Sequence, residues 1–192
     1  MPELADITNP DVDATADAAA PADGTGLGAF EALLHDERLT AAGLLFEVAA
    51  GLEAALGSQI DGHGLALSEF EVLLRLVRSP GGQLRMSDLA RQVNLSSSGL
   101  TRLADRLEAR GLLERRACPT DGRGSNALVT AEGRTVMAAV LPGHVALVER
   151  WLTSALEPAQ LQALTGALRA VRAGVRPDAE AGARTGVAPG PA

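Results

Sequence analysis

Three residues, Asn94-Leu95-Ser96, separate two stretches that each carry apolar side chains at helical spacing. Before them, Leu89, Ala90 and Val93 share one face of a short helix over residues 88–93, with Ser87 placed to cap it. After them, Leu100, Leu103, Ala104 and Leu107 fall at i, i+3, i+4 and i+7 over residues 96–111. So short a connection makes the two helices pack at a steep angle, and Ala90, Leu95, Leu100 and Leu103 are spaced for that contact. Asn94 tolerates the left-handed backbone such a turn needs. Ser96 can accept an orphan N–H of the second helix, and Gly111 can stop that helix at positive φ.

The opposite face of the second helix carries Ser98, Arg102, Asp105 and Ala109, flanked by Thr101 and Arg106. Small hydroxyls let such a face approach a duplex, and one arginine then reaches into the major groove. An ordinary amphipathic surface helix has the same spacing, so the flanking segments decide. Residues 112–117 read as a strand, 118–125 as a turn-rich loop tipped by Arg123, and 126–129 as a second strand. Thr130 caps the next helix, with Glu132 in its favourable first turn. A hairpin directly after a helix-turn-helix is a wing, and Arg123 would reach a minor groove or phosphates. Asp121, two residues earlier, could hold that guanidinium or brace the loop.

The remaining segments frame this unit. Residues 1–28 contain six acids, no base and no apolar period, and read as a disordered tail. Residues 30–60 are helical by Leu33, Leu34, Leu44, Leu45, Val48, Leu52 and Leu56, with a break expected near Gly43. The helix is more apolar than a small monomer needs, which implies a subunit contact. Ser68 and Glu71 form a capping box for a helix to about Arg78, with Phe70, Leu73, Leu74 and Val77 inward. Residues 131–156 form a long helix that Pro142-Gly143 should kink. Pro158 starts a last helix along Leu161, Leu164, Leu168 and Val171. From Gly174 the composition is Gly, Ala and Pro, and reads as disordered.

Composition sharpens the class. With 2% aromatics and no Tyr, the core must be Leu, Val and Ala, which suits helices. The net charge of −7 conceals a division: residues 1–67 hold one Arg against 12 acids, residues 68–134 hold 11 Arg against 8 acids. The basic third is the one with the helix-turn-helix. A single cysteine gives no intramolecular disulfide and no metal cluster. No uncharged apolar run reaches 18 residues and no basic leader precedes an apolar run, so a cytoplasmic protein without membrane span is expected.

Residues 86–116 (MSDLARQVNLSSSGLTRLADRLEARGLLERR) and 121–134 (DGRGSNALVTAEGR) together resemble the MarR family of transcriptional regulators. The second is the more specific, an Asp-x-Arg wing followed by a Leu-x-Thr-x-x-Gly helix start. The resemblance covers residues 35–173. It implies a mainly α fold with a small β-hairpin wing, a winged helix-turn-helix flanked by dimerisation helices. It also implies a homodimeric repressor on double-stranded DNA, released from a pseudo-palindromic operator by a small molecule. The implied division is a disordered acidic tail at 1–29, an N-terminal dimerisation helix at 30–67 and the DNA-binding domain at 68–130. C-terminal dimerisation helices at 131–173 and a disordered tail at 174–192 complete it. Matched onto this sequence, Ser97, Ser98, Thr101 and Arg102 face bases, with Ser96 and Arg106 beside them. Arg115 and Arg116 lie near the DNA backbone, and Arg123 with Asp121 forms the wing tip.

No cofactor or metal is implied. His35, His63 and His144 have no ligand spacing among themselves or with Cys118. No nucleophile–base set or phosphate loop is present, so an enzyme is not expected. A metal- or oxidant-responsive regulator, and a winged helix serving as a protein-interaction module, stay open as alternatives. One branch of the family senses oxidants through a cysteine near the start of the first long helix, where this chain has none. Another senses urate through a tryptophan in an added N-terminal helix, whereas the one Trp here is Trp151. The ligand-binding residues are not legible; scarce aromatics imply an aliphatic pocket, with Trp151 or Phe46 as exceptions.

Overall fold

The computed structural model describes residues 25–118 and 121–177. The side chains of Thr25, Cys118 and residues 121–123 lie outside that description, as do residues 1–24 and 178–192 of the tails read as disordered; the inner ends of those tails are helical instead, from Thr25 and as far as Val175. The chain divides into two compact units, Met1–Val48 and Ala49–Ala192.

In the first unit, helix α1 (Thr25–Leu34) is followed by the start of helix α2 (Glu37–Asp61). The break expected near Gly43 falls instead at His35–Asp36. Asp36 explains the shift: its carboxylate accepts the Arg38 backbone N–H at 2.8 Å, and its carbonyl accepts from Thr40 N. A side-chain acceptor at a helix start outweighs the modest cost of one glycine inside a helix. Phe30, Leu33, Leu34, Leu44, Leu45 and Phe46 are all exposed here. By length and composition α2 could cross a membrane, although Glu47 and Glu53 interrupt it.

The second unit holds the core. Helix α3 (Leu67–Val77) is followed by a 3₁₀ turn at Pro80–Gly82 and strand β1 (Gln83–Arg85). Helices α4 (Met86–Val93) and α5 (Ser97–Ala109) come next, then strands β2 (Leu113–Cys118) and β3 (Asp121–Val129). Helix α6 (Ala131–Trp151), a 3₁₀ turn at Thr153–Ala155 and helix α7 (Pro158–Val175) complete it. Phe70, Leu73 and Leu76 of α3 bury against Leu89 of α4, Leu100 and Leu107 of α5, Leu113 of β2 and Met137 of α6. The mainly helical architecture with a small antiparallel sheet is the one the sequence implied.

Several local expectations need correcting. Helix α3 starts two residues early, so Ala66 is its N-cap and Glu69, not Glu71, occupies the third position. Glu69 accepts the Ala66 backbone N–H at 3.1 Å, which is the only half of a capping box available when the cap is alanine. Helix α4 starts at Met86 without a side-chain cap, and Ser87 Oγ instead donates to Asp88 at 3.4 Å. Helix α6 runs through Pro142 and ends at Trp151, short of the residue 156 expected, and the nearby Val140 carbonyl accepts from Gln59 Nε2 at 3.1 Å. Strand β1 falls in a stretch whose sequence carries no periodic signal. It pairs antiparallel with β3, Leu84 opposite Ala127, to give the sheet order β1-β3-β2. The wing strands also run further than expected, to Cys118 and from Asp121, into the stretch read as a loop at 118–125.

Candidate nucleic-acid interface

Local chemistry fixes both ends of α5. Ser96 Oγ accepts the Gly99 N–H at 3.1 Å, and Gly111 takes φ +69° just past the helix end. Asn94 adopts φ 56°, ψ 44° and turns α4 into α5. Each is as the sequence implied.

The apolar face of α5 is buried and its other face is open. Ser97, Ser98, Thr101 and Arg102 are all exposed on the first two turns. Ser98 Oγ lies 3.2 Å from Ser96 Oγ, and Thr101 Oγ1 donates to the Ser97 carbonyl at 2.8 Å. Among the described residues, the Arg102 guanidinium has no hydrogen bond or ion pair. Asp105, three residues on along the helix, pairs with Arg115 at 2.6 Å instead.

The other basic candidates are not equivalent to Arg102. Arg115 also bonds Glu108 through Nε at 2.9 Å and Nη2 at 2.6 Å, and its backbone N–H donates to the same carboxylate. These bonds hold the Glu108 carboxyl below its usual range and raise the Arg115 guanidinium. Arg115 therefore ties wing strand β2 to α5. Arg116 is exposed and pairs with Glu114. Arg106 lies 3.6 Å from Glu69 and reaches back to the Arg102 carbonyl at 3.4 Å. Backbone places Asp121 and Arg123 at the start of β3; their side chains lie outside the described residues.

Sequence reasoning missed a central group. The side chain of Glu69 is 8% exposed and receives Arg110 Nη1 at 2.9 Å, while Arg110 Nη2 donates to the Gly64 carbonyl at 2.8 Å. One buried carboxylate thus holds the far end of α5 against the start of α3. No sequence period links residues 41 positions apart; the usable signal was an acid at the third position of a helix with a poor N-cap.

The Leu-x-Thr-x-x-Gly motif has a physical basis here. Thr130 Oγ1 accepts the Gly133 N–H at 2.9 Å and donates to the Gly111 carbonyl at 2.7 Å. Gly133 packs so closely against the Leu112 carbonyl that a Cβ would collide with it. The motif therefore locks the end of α5, the start of the wing and the start of α6 together.

A cavity of about 730 Å³ lies within the second unit, between the latter half of α2, α3 and α6. It contains Leu52 and Leu56 of α2, Phe70 and Leu74 of α3, and His144 of α6. The expected exceptions, Trp151 and Phe46, are not among its walls; the aromatic groups are Phe70 and His144, 4.5 Å apart between ring centroids. Burial lowers the His144 pKa, and its buried Nδ1 has no partner among the described residues. Among the described residues no group of three His, Cys, Asp or Glu could hold a metal ion.

The comparisons with known proteins agree with this geometry. Residues 63–124 match the model of the MarR family. The HTH-type transcriptional regulator MhqR of Bacillus subtilis is 30% identical over 116 residues, 60% of this chain and 78% of that protein. The crystal structure of AbsC, a MarR family transcriptional regulator from Streptomyces coelicolor, superposes with a TM-score of 0.69 at 34% identity. It covers 74% of this chain and 96% of that one. Sco3205, a MarR family regulator of the same organism solved in complex with DNA, gives 0.67 at 33% identity, covering 72% of this chain and 87% of that one. An exposed, capped helix with a wing locked beside it, together with relatives matched over most of their length, places this chain in the MarR family of winged-helix transcriptional regulators.

Proposed function

We propose that this chain is a homodimeric repressor that sets α5 of each subunit into the major groove of a pseudo-palindromic operator. The observation that carries this reading is the open face of α5: Ser97, Ser98, Thr101 and an unpaired Arg102, while neighbouring charges are consumed internally. Arg102 can bond guanine O6 and N7 together. Ser96 to Ser98 and Thr101 contact bases or phosphates, Arg116 contacts phosphate, and Arg123 with Asp121 forms the wing tip in the minor groove. Arg106 and Arg115 serve by fixing the pose of α5 through Glu69 and through Asp105 and Glu108. The MarR-family regulator Sco3205 was solved on DNA, which supports the same placement of α5 here.

The dimer reading rests on exposed apolar faces. Helix α7 buries no residue, with Leu168 and Val171 exposed, and α1 and the start of α2 leave theirs exposed as well. Such faces imply a second chain. We therefore assign residues 30–67 and 131–173 to dimerisation, 68–130 to DNA binding, and the cytoplasm as the compartment. A cavity of about 730 Å³ falls in the usual size range for small ligands, and we take it as the effector site.

The test combines sedimentation with footprinting on DNA upstream of the protein's own gene. A dimer protecting two half-sites with centres about 34–36 Å apart is expected. A monomer, or a partner protein bound in place of duplex with no salt dependence, would overturn the reading.

A further inference from the structure

Helix α7 buries no residue, and none of its side chains belongs to the core that α3, α4, α5 and α6 share. Its last turn reaches the helix-turn-helix all the same. Arg176, the C-cap of α7, donates from Nη2 to the Arg91 carbonyl at 2.6 Å. Arg91 lies in the last turn of α4, which ends at Val93.

The end of α4 explains why that carbonyl is open. The last four carbonyls of a helix have no partner within it. Asn94, in the left-handed conformation, gives its N–H to the Ala90 carbonyl. The Leu95 N–H, which a longer helix would give to Arg91, turns back to Ala90 as well, at 3.1 Å. The Arg91 carbonyl is thereby left for a donor from outside the helix, and Arg176 supplies it. A cation at this place also meets the negative end of the α4 dipole. Arg176 thus caps α4 from another helix, at the turn that redirects the chain into α5.

Side chains of α3 act on the same guanidinium. Glu71 and Arg75 line a polar cleft of about 290 Å³ with Gln92, Val93, Asn94 and Arg176. Arg176 is drawn to Glu71 and repelled by Arg75, one helical turn further along α3. The end of α7 is therefore tied to α4 by a hydrogen bond and to α3 by opposed charges. A joint of this kind is polar, part-exposed and small, so one substitution can release it without opening the core.

We propose that Arg176 is a positioning residue for DNA binding: by clasping the last turn of α4 it sets the angle of the helix-turn-helix on α7, and with it the distance between the two recognition helices of the dimer. This rests on the dimeric DNA-binding reading above, in which α7 belongs to the dimer. Arg176 acts through α4, and α5 alone meets the bases. A helix-turn-helix freed from the clasp would still present Ser97, Ser98, Thr101 and Arg102 in order. Two such units would no longer hold one spacing. Each added base pair moves a half-site by about 3.4 Å and turns it by about 34–36°, which a fixed pair tolerates poorly and a loose pair tolerates well.

The test uses the full chain on the operator located by footprinting. Three kinds of duplex are compared: the operator, versions with two base pairs added or removed between half-sites, and a single half-site. Anisotropy at fixed salt reads each affinity, and sedimentation and thermal melts confirm a folded dimer. The wild type is expected to lose at least about tenfold on the altered spacings, and Arg176→Gln less than about threefold. On the single half-site the two should agree within about twofold, because the face of α5 is unchanged. Arg176→Lys keeps a charged donor and should keep part of the spacing preference, so it decides the matter if the glutamine variant does not fold. A preference as sharp in Arg176→Gln as in the wild type overturns the inference. So does an equal loss on the operator and the half-site, which would make Arg176 a DNA contact or a support of the fold at large. A wild-type dimer that binds its operator but is indifferent to spacing overturns this inference alone. A monomer, or a chain without duplex affinity, overturns the proposed function and the inference with it.

Discussion

The winged helix and the helices flanking it are built from the same Leu, Val and Ala, and treat them oppositely. In α3, α4 and α5 the apolar stripe is buried almost to the last atom: Leu73, Leu76, Leu89 and Leu107 are all 0% exposed. In α7 and at the start of α2 similar stripes face out, with Leu168 at 44% and Phe46 at 71%. A helix whose apolar face meets nothing owes its stability to something beyond the single chain, because helices in water draw most of theirs from packing. One region carries its fold within one subunit, and under the proposed reading the other completes its fold with a second.

That contrast can be broken by experiment. The largest effect is expected from Leu107→Ala, which should cost about 2–5 kcal/mol by leaving a cavity. In urea unfolding the loss should not depend on protein concentration. Leu168→Ala should show the reverse: little change at high concentration and a midpoint that falls on dilution. A concentration-independent loss in Leu168→Ala would place α7 in the subunit's own core and erase the distinction.

Next come the joints inside the winged helix. Gly133→Ala drives a methyl into the Leu112 carbonyl and should cost about 1–3 kcal/mol. Glu69→Gln keeps the shape but leaves Arg110 and Arg106 without their carboxylate. Arg110 is 40% exposed, so water softens the loss to about 1–2 kcal/mol. It should also blur the preferred spacing between operator half-sites, which a library of spacer lengths would read.

The smallest effect concerns His144. Its pKa is lowered by burial, so the folded state resists protonation that the unfolded chain accepts. Stability should therefore fall as pH drops through the ordinary imidazole range near about 6.5. Thermal melts of the wild type and of His144→Phe across that range check the sign. A steeper loss in the variant would contradict it.

How much was legible follows the same divide between local and distant causes. Ser96, Asn94, Gly111 and Thr130 act on backbone within a few residues, so spacing alone located α5 and the start of α6. The caps assigned to Ser68 and Ser87 failed because side-chain acceptors elsewhere, or none at all, set those helix starts. Strand β1 has only three residues, Gln83–Arg85, and exists because β3 offers an edge; nothing in its own sequence marks it. The Glu69–Arg110 joint and the Arg176–Arg91 clasp are products of folding, joining residues that no period connects. The open face of α5 was legible as residues, but which arginine stays free on it depended on where Glu69, Asp105 and Glu108 finally lie.

The central claim is that Arg102 is the arginine left free to read a base. Arg102→Ala, measured by anisotropy at fixed salt on the protein's own operator and on a scrambled duplex, tests it most directly. The account predicts a loss of about 1–3 kcal/mol on the operator, little change on the scrambled duplex, and unchanged thermal stability. An equal loss on both duplexes would show that Arg102 meets only phosphate, and would contradict it.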